Sequence, residues 1–261
     1  MLKPVPKSGV VFLLDVDNTL LDNDRFKADL DARLLRDFGA SGRQRYWDAY
    51  ESGRAKLGYA DYLGALQSLR EELDDDPNLL LMSAFMLDYP FAQRLYPGAL
   101  EAISHLQALG TPAVLSDGDV VFQPRKVQRS GLWEALQGRV IISLHKQHML
   151  EAVQQRFPAA HYVMVDDKPR LLAEMKTIMG ERLTTVFVRQ GHYANEADLQ
   201  SITPSPDLSI GRIGELATFN LHAFGLQAFE LQSGSLHSDI LDAPNPQVPL
   251  PARSSTEPTT P

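Results

Sequence analysis

The sequence of 261 residues contains no cysteine. This absence excludes disulfide bonds, thiolate metal sites and a cysteine nucleophile. Positive charge is also scarce, because 25 lysines and arginines stand against 33 acidic residues, a formal net charge of -8. We therefore do not expect a nucleic-acid backbone to be a general partner. A small anionic substrate stays compatible with this charge, because a few local cations are enough to bind one.

Long hydrophobic runs are absent as well. No stretch approaches the ~20 apolar residues that a membrane span needs. The apolar run at Val10–Leu14 ends in an acid and is too short for a signal peptide. We expect a soluble, cytoplasmic protein without a membrane partner, and the sequence does not indicate its oligomeric state. Since 44% of the residues are hydrophobic, the chain can build one large domain or one domain with an insert.

Short apolar runs that favour β-structure recur along the chain. Most are nearly continuous rather than alternating, which is typical of strands covered on both faces. Helical patterns lie between them, such as Gly98–Gly110, which closes on a glycine. The alternation predicts an α/β fold with a three-layer, Rossmann-like core around a parallel sheet. The predicted strands are Val10–Asp15, Pro112–Asp117, Arg139–Ser143, His161–Asp167, Thr184–Val188 and Asp207–Ile210.

One interval, 23–95, breaks the alternation and carries only helical patterns. It predicts an α-helical cap inserted into a catalytic core that consists of residues 1–22 and 96–231. Residues 232–261 are rich in proline and serine and too polar to offset their ordering entropy, so we predict a disordered tail. An apolar stripe at the start of the insert comprises Phe26, Leu30, Leu34, Leu35 and Phe38.

Polar side chains follow three of the predicted strands. In open α/β sheets, ligands bind beyond the carboxyl ends of the strands, so these groups are expected to converge on one crevice. Taken singly, each aspartate is equally explained as a helix cap or a turn residue. The groups are Asp15 and Asp17, Ser116 and Asp117, and Asp166 and Asp167.

Crowded carboxylates repel one another unless a positive charge lies nearby. A hard divalent cation such as Mg²⁺ meets that need, since it prefers oxygen ligands. A lysine would contribute further, and position alone does not separate Lys146 from Lys126.

Four segments together are similar to the motifs of the haloacid dehalogenase (HAD) superfamily. "DVDNT" from Asp15 resembles the first motif, and "VLSD" around Ser116 resembles the second. Lys146 lies where the lysine of the third motif is expected, and "VMVDD" resembles the acidic fourth motif. The resemblance covers roughly 10–216, and all four motifs occur in order.

The resemblance implies roles for the matching residues. Asp15 is the expected nucleophile that forms an aspartyl-phosphate, and Asp17 is the expected general acid and base. Ser116 and the adjacent Asp117 segment are expected to bind the phosphoryl group. Lys146 is expected to offset its charge and that of the nucleophile.

The resemblance also implies a magnesium site. Its ligands are the side chain of Asp15, the backbone carbonyl of Asp17 and the acids of the fourth motif. Matching "VDD" to the family's fourth motif favours Asp167 as the direct ligand. Asp166 remains an alternative that holds a metal-bound water. True dehalogenases of the superfamily lack an aspartate at the position of Asp17.

We therefore expect a Mg²⁺-dependent phosphatase that acts on a small phosphorylated metabolite. A phosphomutase and a catalytically idle binding or regulatory module are the alternatives. Six basic and aromatic residues of the insert are candidates for substrate contact: Arg25, Lys27, Arg43, Arg45, Tyr46 and Trp47.

Overall fold

A parallel sheet of six strands forms the centre of the molecule. The computed structural model describes residues 8–196 and 201–226, and all of them belong to one compact unit. The strand order is β3-β2-β1-β4-β5-β6, and every neighbouring pair is parallel. The strands are β1 (Ser8–Leu14), β2 (Thr111–Asp117), β3 (Val140–Ser143), β4 (Ala159–Asp166), β5 (Leu183–Val188) and β6 (Leu208–Ile210).

Helices cover both faces of this sheet, so the predicted three-layer α/β fold is confirmed. Val11 and Leu13 share one core cluster with Leu150 and Leu172, which lie on the helices after β3 and β4. On the opposite face, the ring of Phe12 lies 5.4 Å from that of Phe224. The core helices are α5 (Ala99–Leu109), α6 (Phe122–Arg129), α7 (Leu132–Ala135), α8 (Leu150–Arg156), α9 (Pro169–Met179) and α10 (Gly191–Glu196).

Four helices occupy the insert between β1 and α5. The first begins at an N-cap, where the carboxylate of Asp22 accepts a hydrogen bond from the Arg25 backbone N–H. Its path breaks at Gly39, whose φ of 67° and ψ of -175° are not helical. The insert helices are α1 (Asn23–Leu57), α2 (Tyr62–Ser68), α3 (Arg70–Leu73) and α4 (Pro77–Leu87).

The apolar stripe at the start of α1 is only partly buried. Phe26, Leu30 and Leu34 are fully buried, but Leu35 is 47% exposed. Leu35 lies about 100° around the helix from Leu34, which turns it away from the buried face. Leu35 therefore does not share the buried face that the other leucines of the stripe occupy.

The division into a core and a cap stays a prediction, and the tail at 232–261 lies outside the described residues. Short 3-10 helices join several elements, including Phe91–Arg94 before α5 and Lys146–His148 after β3. In the part of the chain that the structure describes, no helix combines the length and apolarity needed to cross a membrane.

Candidate active site

The carboxyl ends of the three central strands meet at one edge of the sheet. Asp15 follows β1, Ser116 lies at the end of β2, and Asp166 ends β4. The Asp15 backbone N–H donates to the carbonyl of Val165 over 3.0 Å, which extends the β1–β4 pairing to the site. From β1, the next strands of the chain are added on one side of the sheet as far as β3, and β4 to β6 are added on the other side. Open α/β sheets bind ligands at such a topological switch point, here between β1 and β4.

Lys146 lies buried between two of these carboxylates. Its Nζ is 2.5 Å from Asp15 Oδ1 and 2.5 Å from Asp166 Oδ2. Burial lowers the pKa of this ammonium, but attraction to Asp15, Asp166 and Asp117 outweighs burial and raises the pKa above its usual value. Lys146 therefore stays charged and neutralises part of the acid cluster.

A second group of contacts positions the end of β2. Ser116 Oγ donates to Asp15 Oδ1 over 3.3 Å, and Asp117 Oδ1 accepts the Lys146 backbone N–H over 2.6 Å. Burial raises the pKa of Asp117, against the opposing attraction of Lys146. The Asp117 carboxylate thus fixes the backbone that carries Lys146.

Three carboxylates form a cluster that has the composition of a cation site. Asp15, Asp166 and Asp167 each place one oxygen within 4.8 Å of the others. Asp15 Oδ2 and both oxygens of Asp167 are buried and accept no hydrogen bond. Burial raises the pKa of Asp167 to about 9, and repulsion from Asp166 and Asp15 adds to this. Such an oxygen-only donor set with unsatisfied buried atoms fits a hard divalent cation.

The two fourth-motif acids differ in their partners. Asp166 is engaged by Lys146 and accepts the Lys168 backbone N–H over 2.9 Å at Oδ1. Asp167 has neither contact. Asp167 is therefore the acid whose oxygens are available to a cation.

Asp17 lies beside the cluster and has partners of its own. Lys126 Nζ donates to Asp17 Oδ1 over 2.7 Å, and Gln123 Nε2 lies 3.4 Å from Oδ2. The Asp17 side chain is 26% exposed, whereas Lys126 is fully buried. The two lysines that position alone did not separate thus contact different aspartates.

Asn18 shapes the turn that follows Asp17. Its φ of 60° lies in the left-handed region, which asparagine tolerates better than most residues. Its side-chain oxygen accepts the backbone N–H groups of Asn23 and Asp24, at the start of α1. A Cβ on Gly191 would come within 2.5 Å of the Asn18 side chain, so glycine is required there.

A cavity of about 150 Å³ opens over these residues. Asp17, Asp117 and Asp167 are among the residues that line it, and most of the other lining residues, which form its wall, are cationic or aromatic. The volume is below the ~300 Å³ typical of sites for drug-sized ligands. The wall residues are Asn18, Asn23, Lys27, Tyr50, Arg54, Gly58, Tyr59, Ala60, Tyr62, Lys168, His192 and Tyr193.

Only Lys27 of the six insert candidates lines this cavity. Arg43 and Trp47 both donate to Asp31, and the buried Tyr46 hydroxyl donates to the Tyr62 carbonyl. Their side chains are therefore engaged within the insert.

A scan against protein families matches residues 10–175 to the haloacid dehalogenase-like hydrolases. The chain belongs to this family. No curated protein sequence matched it. A solved structure from Burkholderia xenovorans, described as a haloacid dehalogenase-like hydrolase, is 57% identical and has a TM-score of 0.77. The alignment covers 82% of this chain and 100% of that one.

Two more distant members of the haloacid dehalogenase-like hydrolases share the fold. L-2-haloacid dehalogenase from Xanthobacter autotrophicus is 20% identical and has a TM-score of 0.51. The alignment covers 80% of this chain and 96% of the dehalogenase. The Bacillus subtilis HAD-hydrolase YfnB, whose structure has magnesium bound, is 17% identical with a TM-score of 0.54. That alignment covers 84% of this chain and 99% of YfnB.

Sequence reasoning missed several wall residues of this hydrolase. Arg54 lies in the last turn of α1 and donates to the Tyr193 hydroxyl over 2.9 Å, across 139 positions of sequence. His192 donates its backbone N–H to Asp24 Oδ2 and places Nδ1 2.7 Å from Asp24 Oδ1. Only Lys168, directly after the fourth motif, had a sequence signal that could have identified it.

Proposed function

We propose that the protein is a Mg²⁺-dependent phosphatase that hydrolyses a small phosphorylated metabolite through an aspartyl-phosphate on Asp15. The position of the Asp17 carboxyl, two residues after Asp15 and lining the same cavity as Asp167, is the observation that supports this best. An alkoxide leaving group needs a proton as its bond to phosphorus breaks, whereas a halide does not. A carboxyl at this position therefore favours phosphate over halide.

The proposed reaction has two steps on phosphorus. A carboxylate oxygen of Asp15 forms a bond to phosphorus while the ester bond breaks, and Asp17 gives a proton to the departing oxygen. Water then attacks phosphorus, Asp17 takes up a proton from it, and the Asp15 carboxylate and inorganic phosphate are released. Ser116 donates to a phosphoryl oxygen, and Lys146 offsets negative charge around Asp15.

The proposed cation ligands are Asp15 and Asp167 through their unpartnered oxygens, with the backbone carbonyl of Asp17. Bound Mg²⁺ would neutralise charge on the phosphoryl group. Asp166 is assigned a supporting role because Lys146 already engages it. The magnesium in the Bacillus subtilis relative is consistent with this assignment.

A dehalogenase is the competing activity, since distant relatives carry that name. One assay separates the two. Purified protein is given p-nitrophenyl phosphate or a 2-haloacid, with Mg²⁺ or with EDTA. We expect phosphate release that EDTA abolishes, and no halide release. Halide release without phosphate release would contradict the proposal, as would a lack of phosphate release with every divalent metal.

The nucleophile is tested by Asp15→Asn, which should lose phosphatase activity while circular dichroism shows an intact fold. Asp75→Asn is the matched control, because Asp75 is exposed on the insert. An Asp15→Asn variant that keeps most of the activity would exclude Asp15 as nucleophile.

A panel of phosphorylated metabolites, including bisphosphorylated sugars that reveal mutase turnover, would then identify the substrate.

A further inference from the structure

Lys126 is a buried cation that the proposed reaction does not use directly. It lies on α6, has no exposed surface, and donates to Asp17 Oδ1 over 2.7 Å and to Asn23 Oδ1 over 3.0 Å. Burying an ammonium is costly unless it is paired and hydrogen-bonded. Asp17 and Asn23, which accept these hydrogen bonds, both line the cavity. The hydrogen bonds therefore hold the charge of Lys126 next to the site.

Aromatic rings enclose the ammonium on its other sides. The centroids of four rings lie between 5.4 and 6.0 Å from Nζ, within the range of cation–π attraction. This aromatic cage restrains the lysine and limits its access to water. The cage consists of Phe26, Tyr62, Phe91 and Phe122.

A second side chain of α6 reaches the other oxygen of the same carboxylate. Gln123, three residues before Lys126 on the helix, lies 3.4 Å from Asp17 Oδ2 and donates to Ser116 Oγ over 3.1 Å. Residues three apart on a helix share one face. One face of α6 therefore contacts both carboxylate oxygens of Asp17 and the hydroxyl that neighbours Asp15.

We propose that Lys126 is a positioning residue that orients the Asp17 carboxyl for proton transfer to and from the reacting oxygen. The inference rests on the proposed function, because Asp17 has this task only in phosphoryl transfer. It assigns the two buried lysines separate tasks: Lys146 serves Asp15, and Lys126 serves Asp17. A core-filling role would instead be met equally well by an apolar side chain of similar length.

Lys126→Met tests this with two substrates that differ in their need for a proton. An alkyl phosphate leaves as a basic alkoxide, whereas p-nitrophenolate is stable without protonation. Because general acid catalysis contributes about 10²- to 10⁴-fold, we expect kcat/KM, which reports on the step that releases the alcohol, to fall about 10- to 100-fold for the alkyl phosphate and less than about threefold for p-nitrophenyl phosphate. Lys56→Met, on the exposed end of α1, is the matched control and should change neither.

A double-mutant cycle with Asp17→Asn supplies the second readout. If Lys126 acts through Asp17, adding Lys126→Met to Asp17→Asn should cost no further activity. The double variant also leaves no unpaired charge, so it tests the inference even if the single variant does not fold. Equal losses of kcat/KM for both substrates, or additive losses in the cycle, would overturn the role of Lys126 while leaving the phosphatase intact. A wild-type protein with no phosphatase activity would remove the proposed function and this inference together.

Discussion

At the scale of single residues, the acid cluster combines a paired and an unpaired carboxylate. Asp166 has Lys146 beside it, whereas burial and neighbouring acids raise the pKa of Asp167 to about 9. The same two residues are adjacent in sequence and occupy one strand end. Their difference therefore arises from which way each side chain points, and it determines which of them is available to a cation.

The raised pKa of Asp167 predicts how the stability of the metal-free protein depends on pH. The folded state keeps a proton on Asp167 up to about pH 9, whereas the unfolded chain loses it near its usual pKa of about 3.9. Folding thus takes up a proton between these values, and the free energy of unfolding falls as pH rises. In EDTA, we expect wild type to lose at least about 1 kcal/mol more than Asp167→Asn between about pH 5 and pH 8.

Chemical denaturation at the two pH values measures this difference. Mg²⁺ should restore stability to wild type, more strongly at the higher pH, because the cation binds the ionised carboxylate. It should restore little to Asp167→Asn. Parallel pH profiles of the two proteins in EDTA would contradict the raised pKa.

At the scale of elements, α1 connects the insert to the site at both of its ends. Asn23 at its start contacts Lys126, and Arg54 near its end lines the cavity. The break at Gly39 divides the helix between them. The direction of α1 after this break sets where Arg54 lies.

Two glycines of α1 provide a matched pair for testing that break. Gly39 has a positive φ that alanine adopts only with strain, whereas Gly53 lies in the helix with open space around its Cα. We expect Gly39→Ala to destabilise by about 1–3 kcal/mol. Gly53→Ala should stabilise by about 0.5–1 kcal/mol. Denaturant midpoints measure both, and a stabilising Gly39→Ala would show that α1 is continuous.

The end of α1 also predicts a specific effect on substrate binding. Arg54 donates to Tyr193 and faces the cavity, so under the proposed function its charge attracts an anionic substrate. We expect Arg54→Gln to raise KM about tenfold with little change in kcat, since a hydrogen bond to a charged group contributes about 1.5 kcal/mol at the low end. Steady-state kinetics on the identified substrate test this.

The matched control for that variant is Arg70→Gln. Arg70 pairs with Asp74 on the insert and does not line the cavity. Its KM should equal that of wild type. If both arginine variants raise KM equally, the effect comes from net charge and not from the wall of the cavity.

At the scale of the whole molecule, the sequence was sufficient for the sheet because the central strands are buried apolar runs. The predicted strand bounds differ from the observed ones by no more than two residues, as Ala159–Asp166 against His161–Asp167 illustrates. The strand-end acids were also predictable, because parallel strands align their carboxyl ends. The wall of the cavity was not, since Arg54 and Tyr193 meet only through the packing of α1 against α10. Lys126 gave no sequence signal of burial, because its cage is built from distant aromatic residues.

The central place of β1 has a consequence for how the molecule is made. This strand is the first described element of the chain, yet its partners are β2, which begins at Thr111, and β4, which begins at Ala159. During synthesis from the N-terminus, its apolar residues have no sheet to join until much of the chain exists. The helices of the insert consist of local contacts and can form meanwhile, whereas pairing distant strands is slow. Assembly of the crevice is thus a late event, completed only when β4 docks beside the first strand.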